Sequence, residues 1–156
     1  MLKELRIQNL AILPEVIVRF KPGLNVLTGE TGAGKSILMD AISLLAGRRS
    51  SLDDVRKGAG QATVEGILEF ENEAALWGVM KSAGIPREGK ELILRRVVGS
   101  DGRSRAFLNN VSWTANGLAQ LAPHWIDISG QHGQQLLMDE REHTAVLDRF
   151  GRYEAL

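Results

Sequence analysis

The sequence predicts a fold of α/β or mixed class, and three observations carry that expectation. Apolar segments follow one another in the order strand, strand, strand, helix, then further strands, then strand and helix. A glycine-rich stretch, Gly29 to Ser36, separates the third strand from the first helix. The segment 91 to 108 reads as two strands joined by a Gly-Ser-Asp-Gly turn, which is a hairpin signal.

Taken in order, residues 2 to 8 alternate Leu2, Leu5 and Ile7 with Lys3, Arg6 and Gln8, a strand-like pattern. Residues 15 to 20, EVIVRF, read as a second strand. Pro22 and Gly23 stand where a type II turn wants them. LNVLT, 24 to 28, is a short apolar strand. After the glycine-rich stretch, Ile37, Leu38, Ala41, Ile42, Leu44 and Leu45 recur at helical spacing, with Gly47 placed to end the helix. Residues 48 to 60 form a polar connection, 61 to 70 a strand and 72 to 83 a short helix. The hairpin follows, then a short helix from Thr114 to Leu121 and a strand from Trp125 to Ile128. Residues 139 to 156 place Val146, Phe150 and Tyr153 on one helical face with charges between.

Composition bounds the function only loosely. The 156 residues suit one domain, and 19 basic residues balance 19 acidic ones, so net charge points to no polyanionic partner. There is no cysteine, which excludes disulfides and thiolate metal sites. No apolar run approaches the ~18 residues of a membrane span, and Lys3, Glu4 and Arg6 come too early for a signal peptide. These features predict a cytoplasmic protein.

Gly29-Glu30-Thr31-Gly32-Ala33-Gly34-Lys35-Ser36 fits G-x-x-x-x-G-K-[ST] in full. Glycines let the backbone curl so that its N–H groups face one phosphate. The helix that follows adds its positive end, reaching Ile37. Lys35 is a point charge for the β- and γ-phosphates, and the Ser36 hydroxyl is a hard oxygen ligand for Mg²⁺. The motif predicts nucleotide binding without choosing ATP or GTP.

Three phosphate-loop classes compete. Asp127-Ile128-Ser129-Gly130-Gln131 resembles the D-x-x-G-Q of a GTPase. It lies far downstream of Gly29, and no N-K-x-D guanine-reading motif occurs. A small-molecule kinase would need an arginine-rich lid, for which Arg48, Arg49 and Arg56 are conceivable, but the 91–108 hairpin does not suit it. An ABC-type ATPase head opens with an antiparallel β-subdomain around the loop and, after a long insertion, brings a glutamine at a strand end to Mg²⁺ and water. The three early strands and Gln131 agree with that plan. Transporter members stack adenine on an aromatic residue well before the loop, and residues 1 to 19 contain none. That favours the chromosome-maintenance branch.

LRIQNLAIL, GLNVLTGETGAGKSILMDAISLLAGRR, GRSRAFLNN and IDISGQHGQQLLM together resemble the N-terminal head segment of the RecN family, the bacterial DNA-repair branch of the SMC-like ATPases. The resemblance covers essentially the whole chain. It implies a P-loop NTPase head of ABC/SMC type, of which this chain is the N-terminal lobe with its antiparallel β-subdomain. The lobe is read as residues 1–138, and residues 139 to 156 as the start of a helix leading to a coiled coil, with a simple closing helix as the alternative. The C-terminal half of the same head would supply the signature motif, the Walker B acids and a switch histidine, and none of these is found here. Two heads would sandwich two ATP molecules as a homodimer and act on DNA ends or single strands at double-strand breaks, in the cytoplasm and with the nucleoid. ATP and Mg²⁺ are the implied cofactors. Lys35 and Gln131 would act on the reacting phosphate, with Ser36 and Gln131 on the metal. A chain of this length alone would bind nucleotide weakly and be inactive. A nucleotide-gated DNA-tethering clamp with little turnover, or a transporter-type subunit, are the alternatives.

Other candidates each have a plain reading beside the functional one. By the resemblance, the turn at Asn9, Leu10 and Ala11 lies near adenine and ribose; the alternative is an ordinary hairpin turn. The loop carrying Arg48, Arg49, Arg56 and Lys57 is a candidate for sensing nucleotide or DNA, or a solvated loop. In the hairpin, Arg95, Arg96, Arg103 and Arg105 outnumber Glu91 and Asp101; a basic ribbon suits a DNA backbone, but exposed hairpins also carry arginine for solubility. His132 and His143 lack metal-ligand spacing, and Trp77, Trp113 and Trp125 read as packing residues.

Overall fold

A computed structural model describes residues 1–29, 34–70, 74–82, 84–86 and 89–128. Met1–Ile126 form one compact unit, and Asp127–Leu156 fall in a second, of which only Asp127 and Ile128 are described. The expected lobe boundary at 138, the helix from 139, and His132 and His143 therefore lie outside the described residues.

One antiparallel sheet organises the first unit. Its strands are β1 (Leu2–Leu10), β2 (Leu13–Arg19), β3 (Gln61–Glu69), β4 (Glu91–Gly99), β5 (Ser104–Leu108) and β6 (Val111–Trp113), in spatial order β2-β1-β3-β4-β5-β6. Strand alternation sorts the side chains. Leu5 and Ile7, then Ala62, Val64 and Leu68, then Leu92, Leu94 and Val98 are all buried. The residues between them, such as Arg6, Thr63, Glu65 and Arg95, are exposed or half-buried. On that outer side Glu4 accepts hydrogen bonds from Arg6 (2.5 Å) and Arg19 (2.8 Å). These two bonds, Arg6 first, hold its carboxyl below the usual carboxylate range.

The helices are α1 (Lys35–Leu45), α2 (Ala74–Ser82) and α3 (Ala115–Leu121). α1 buries Ile37, Ala41, Ile42, Leu44 and Leu45, the stripe its periodicity predicts. It lies against the core face of the sheet: a Cβ at Gly66 of β3 would come within 2.7 Å of Leu45 Cδ1. Its C-terminal end is a Schellman turn. Gly47, at φ 94°, donates to Leu44 O (3.1 Å), and Arg48 N–H donates to Ser43 O (2.9 Å). α2 buries Leu76 and Met80 one turn apart, and Trp77 meets Phe70 edge to face at 6.4 Å. α3 starts at Thr114, whose hydroxyl accepts from Gly117 N–H at 2.9 Å.

Several expectations hold in place. The hairpin turns at Gly99 to Arg103, and Pro22-Gly23 makes its turn with Gly23 at φ 86°. The last short strand, β6, comes as an addition. Asn109 and Asn110 at φ 44° and 64° form a two-residue turn of the primed kind, which returns the chain beside β5. Two expected strands are corrected. Residues 24 to 28 pair with no strand among the described residues, and Leu24 and Val26 are 91% and 70% exposed. An apolar run becomes a strand only where a neighbour supplies the ladder. Trp125 to Ile128 is likewise not a strand. Pro123 favours a 3-10 turn at Ala122–His124, and Ala122 O takes the N–H groups of both Trp125 (3.0 Å) and Ile126 (2.9 Å).

Candidate functional site

The site is built at the N-terminal end of α1. Gly34 stands at the cap without a side-chain hydrogen bond, and no acidic residue occupies the first turn. Among the described residues, no side chain caps the first N–H groups of the helix and no carboxylate of the first turn offsets its dipole. Lys35 is half-buried, and its ammonium donates to the Gly29 carbonyl, so the lysine points back toward Gly29. The Ser36 side chain is exposed on the same turn. The Ile37 side chain is in the core, so only its backbone N–H is on offer to a ligand. Glu30, Thr31, Gly32 and Ala33 lie outside the described residues, as does Gln131. An uncapped helix start bearing a lysine and a hydroxyl fits a phosphate with its magnesium ion.

The turn between β1 and β2 stands beside a second surface. Asn9 and Ala11 take φ 52° and 51°, sparsely populated values for residues with a side chain. Their backbone groups are engaged by the 54–56 segment. Asn9 O accepts from Arg56 N–H and Ala11 N–H donates to Asp54 O, each at 2.9 Å. A capping box at Ser51 and Asp54 shapes the 3-10 turn Leu52–Asp54 just before. Between these elements opens a cleft of about 590 Å³, lined by Ala11, Ile12, Leu52, Asp53, Arg56 and Lys57 among others. Ile12 and Leu52 expose their apolar side chains into solvent, and Arg56 and Lys57 are exposed next to them.

The arginines separate into distinct environments. Arg48 is half-buried, ion-paired with Asp54 at 2.8 Å and bonded to Arg49 O at 3.1 Å, so it braces the loop. Arg49 and Arg56 are exposed. Arg95 lies over the Phe107 ring at 4.9 Å and donates to Asn110 Oδ1 at 3.2 Å. Arg103 is 3.5 Å from Asp101, and Arg105 is exposed with no ion pair among the described residues. Arg96 leaves this group altogether, because strand alternation turns it into the core, where it is 1% exposed. Its guanidinium donates to Leu44 O (3.2 Å) and Ser104 Oγ (2.7 Å). Burial above all, and then repulsion from Arg48, lowers its pKa, with Asp54 opposing. The inward sequence Leu92, Leu94, Arg96, Val98 was the available signal for this residue.

Among the described residues no cluster of three metal-ligating side chains occurs, and no helix is long and apolar enough to cross a membrane.

The antiparallel sheet, the helix after a glycine-rich stretch and the lysine at its start give this chain the fold of the phosphate-loop part of an ABC/SMC-type head. The chain belongs to the AAA domain family, which residues 4–138 match. It is similar to DNA repair protein RecN of Bacillus subtilis, 43% identical over 154 residues, covering 99% of this chain and 27% of that protein. The Smc head domain with a coiled coil and joint derived from Pyrococcus yayanosii shares the fold. Its TM-score is 0.69 at 20% identity, over 99% of this chain and 33% of that one. A structure from work on ATP-driven dimerization and DNA-stimulated activation of SMC ATPases gives a TM-score of 0.63 at 23% identity, over 96% and 98% of the two chains. This chain therefore spans little more than a quarter of the length of the RecN protein it matches.

Proposed function

We propose that this chain is the phosphate-loop lobe of an SMC-like ATPase head that acts in recombinational repair of DNA double-strand breaks. The observation that carries the reading is the uncapped start of α1, with Lys35 reaching the Gly29 carbonyl across the loop. The ligand is ATP with Mg²⁺. Lys35 and the loop N–H groups hold the phosphates, and Ser36 with Gln131 holds the metal ion. Gln131 also orients the attacking water. The bound magnesium ion would offset phosphate charge and fix the geometry of the triphosphate. The cleft beside Asn9 suits the base and ribose, since Ile12 and Leu52 offer apolar surface beside cations. In the complete protein the C-terminal half of the head closes the site, two heads dimerise around ATP, and DNA stimulates hydrolysis. The protein works in the cytoplasm, on the nucleoid.

The test uses the full-length protein, with ATP turnover measured with and without DNA. Lys35→Ala is expected to abolish binding and turnover. Gln131→Ala is expected to leave ATP binding within about 3-fold and to lower kcat by ~10²-fold, as for loss of a positioned water ligand. Turnover that is absent with and without DNA, while ATP binding persists, would favour a nucleotide-gated tether instead.

A further inference from the structure

We infer that Arg96 is a positioning residue for the phosphate loop: from β4 it anchors the C-terminal end of α1, and through α1 it sets where Lys35 and Ser36 stand. The inference rests on the nucleotide site proposed above and adds a residue that touches no ligand.

Arg96 occupies an inward position where Leu92, Leu94 and Val98 set an apolar pattern. A guanidinium there costs desolvation that a leucine would not. Among the described residues no carboxylate is ion-paired with it, Asp54 acting only at longer range, and its Nε has no hydrogen-bond partner. What it does have is the carbonyl of Leu44, one of the last of α1, at 3.2 Å. The C-terminal end of a helix carries partial negative charge, so a buried cation is favoured there and its attraction runs along the helix axis. The second arm of the fork, on Ser104 Oγ at 2.7 Å, fixes the guanidinium from β5. One planar group thus ties two strands to one helix end, which a single-point lysine would not reproduce.

The same helix end is held from other sides. Gly47 backs onto α3, where an added Cβ would meet Ala119 N at 2.5 Å and Ala115 O at 2.6 Å. Arg48, just beyond it, is paired with Asp54. Leu45 lies on Gly66 of β3. α1 is therefore fixed at the end opposite the phosphate loop. At ~1.5 Å per residue, Lys35 stands about 13 Å from Leu44 along the axis. A rigid helix of this length carries a small shift or tilt at its C-terminal end to the loop N–H groups, and displacement of those groups by a fraction of an ångström weakens phosphate binding.

The experiment takes the full-length protein with Arg96→Met, Arg96→Lys and Ser104→Ala. Four quantities are read: the Kd of a fluorescent ATP analogue, the KM and kcat of ATP turnover, and Tm without nucleotide. Arg96→Met is expected to raise Kd and KM by about 10-fold with kcat changed less than ~2-fold, the signature of lost ground-state binding. Arg96→Lys should recover part of this, and Ser104→Ala should raise Kd by roughly 3-fold, the effect of loosening one arm of the fork. If Arg96→Met does not fold, the two milder variants carry the test. Kd unchanged in the folded variants while Tm falls would make Arg96 a purely structural residue and overturn the inference. A wild-type protein that fails to bind ATP would overturn the nucleotide site itself, and this role with it.

Discussion

At the scale of the residue, Gly47 shows how much one position decides. Its φ of 94° lies in the left-handed region, and a Cβ there would stand 2.5 to 2.7 Å from backbone and side-chain atoms of α3. Two separate costs follow, backbone strain and overlap with atoms that belong to a helix and cannot move alone. Gly47→Ala is expected to destabilise by about 2–4 kcal/mol, read as a lower urea midpoint at unchanged m-value. An unchanged midpoint would mean that α3 shifts freely away from α1, and that the close approach matters little. Gly47 was legible as a helix terminator because it follows an apolar 3.6-residue pattern. Its contact with α3 was not legible, since nothing in a linear pattern reports which element a turn will meet.

At the scale of the element, the β4–β5 hairpin was read correctly as a hairpin, but its four arginines looked equivalent in the sequence. Alternation along the strand separates them: Arg95 faces the outer side and Arg96 the core. Partners then divide the outer three. Arg95 is stacked on Phe107, Arg103 is near Asp101, and Arg105 is exposed without an ion pair among the described residues. If the hairpin follows a DNA backbone, Arg105 has least to give up on binding a phosphate. Arg105→Ala should reduce the slope of log Kd against log salt by about 1 for a single-stranded oligonucleotide, with a smaller effect from Arg103→Ala. Fluorescence anisotropy at several salt concentrations measures this. Equal slopes for Arg105→Ala and wild type would place DNA elsewhere on the protein. Element type was mostly legible for the sheet and for α1, where hydrophobic period and turn residues agree. The two expected strands at 24 to 28 and 125 to 128 failed for different reasons. The first has no described partner, and in the second a proline-led turn takes the N–H groups.

At the scale of the whole molecule, the segment before the phosphate loop leaves large apolar side chains in water. Leu24, Val26 and Leu27 are 91%, 70% and 44% exposed, although they lead straight into Gly29. Burying Leu24 and Val26 would contribute roughly 1.5–3 kcal/mol each, a large term to leave in water. The chain spans 27% of the length of the RecN protein it matches, and a full-length protein of that size would have ample sequence to cover them. If the C-terminal half of the head proposed above adds a strand beside residues 24 to 28, it also holds Gly29 in place relative to Lys35. Two consequences belong together. The backbone amides of 24 to 28 should exchange hydrogen rapidly in the 156-residue chain and at least ~100-fold more slowly in the full-length protein, as an amide does when it enters a ladder within a cooperative core. Nucleotide affinity should rise in parallel, because a loop whose incoming strand is fixed loses less freedom on binding. Val26→Lys in the full-length protein should undo both effects while leaving the hairpin and α3 protected. Equal exchange at 24 to 28 in the two proteins would show that this segment stays open in the complete head, and the phosphate loop would then have to be ordered from the α1 side alone.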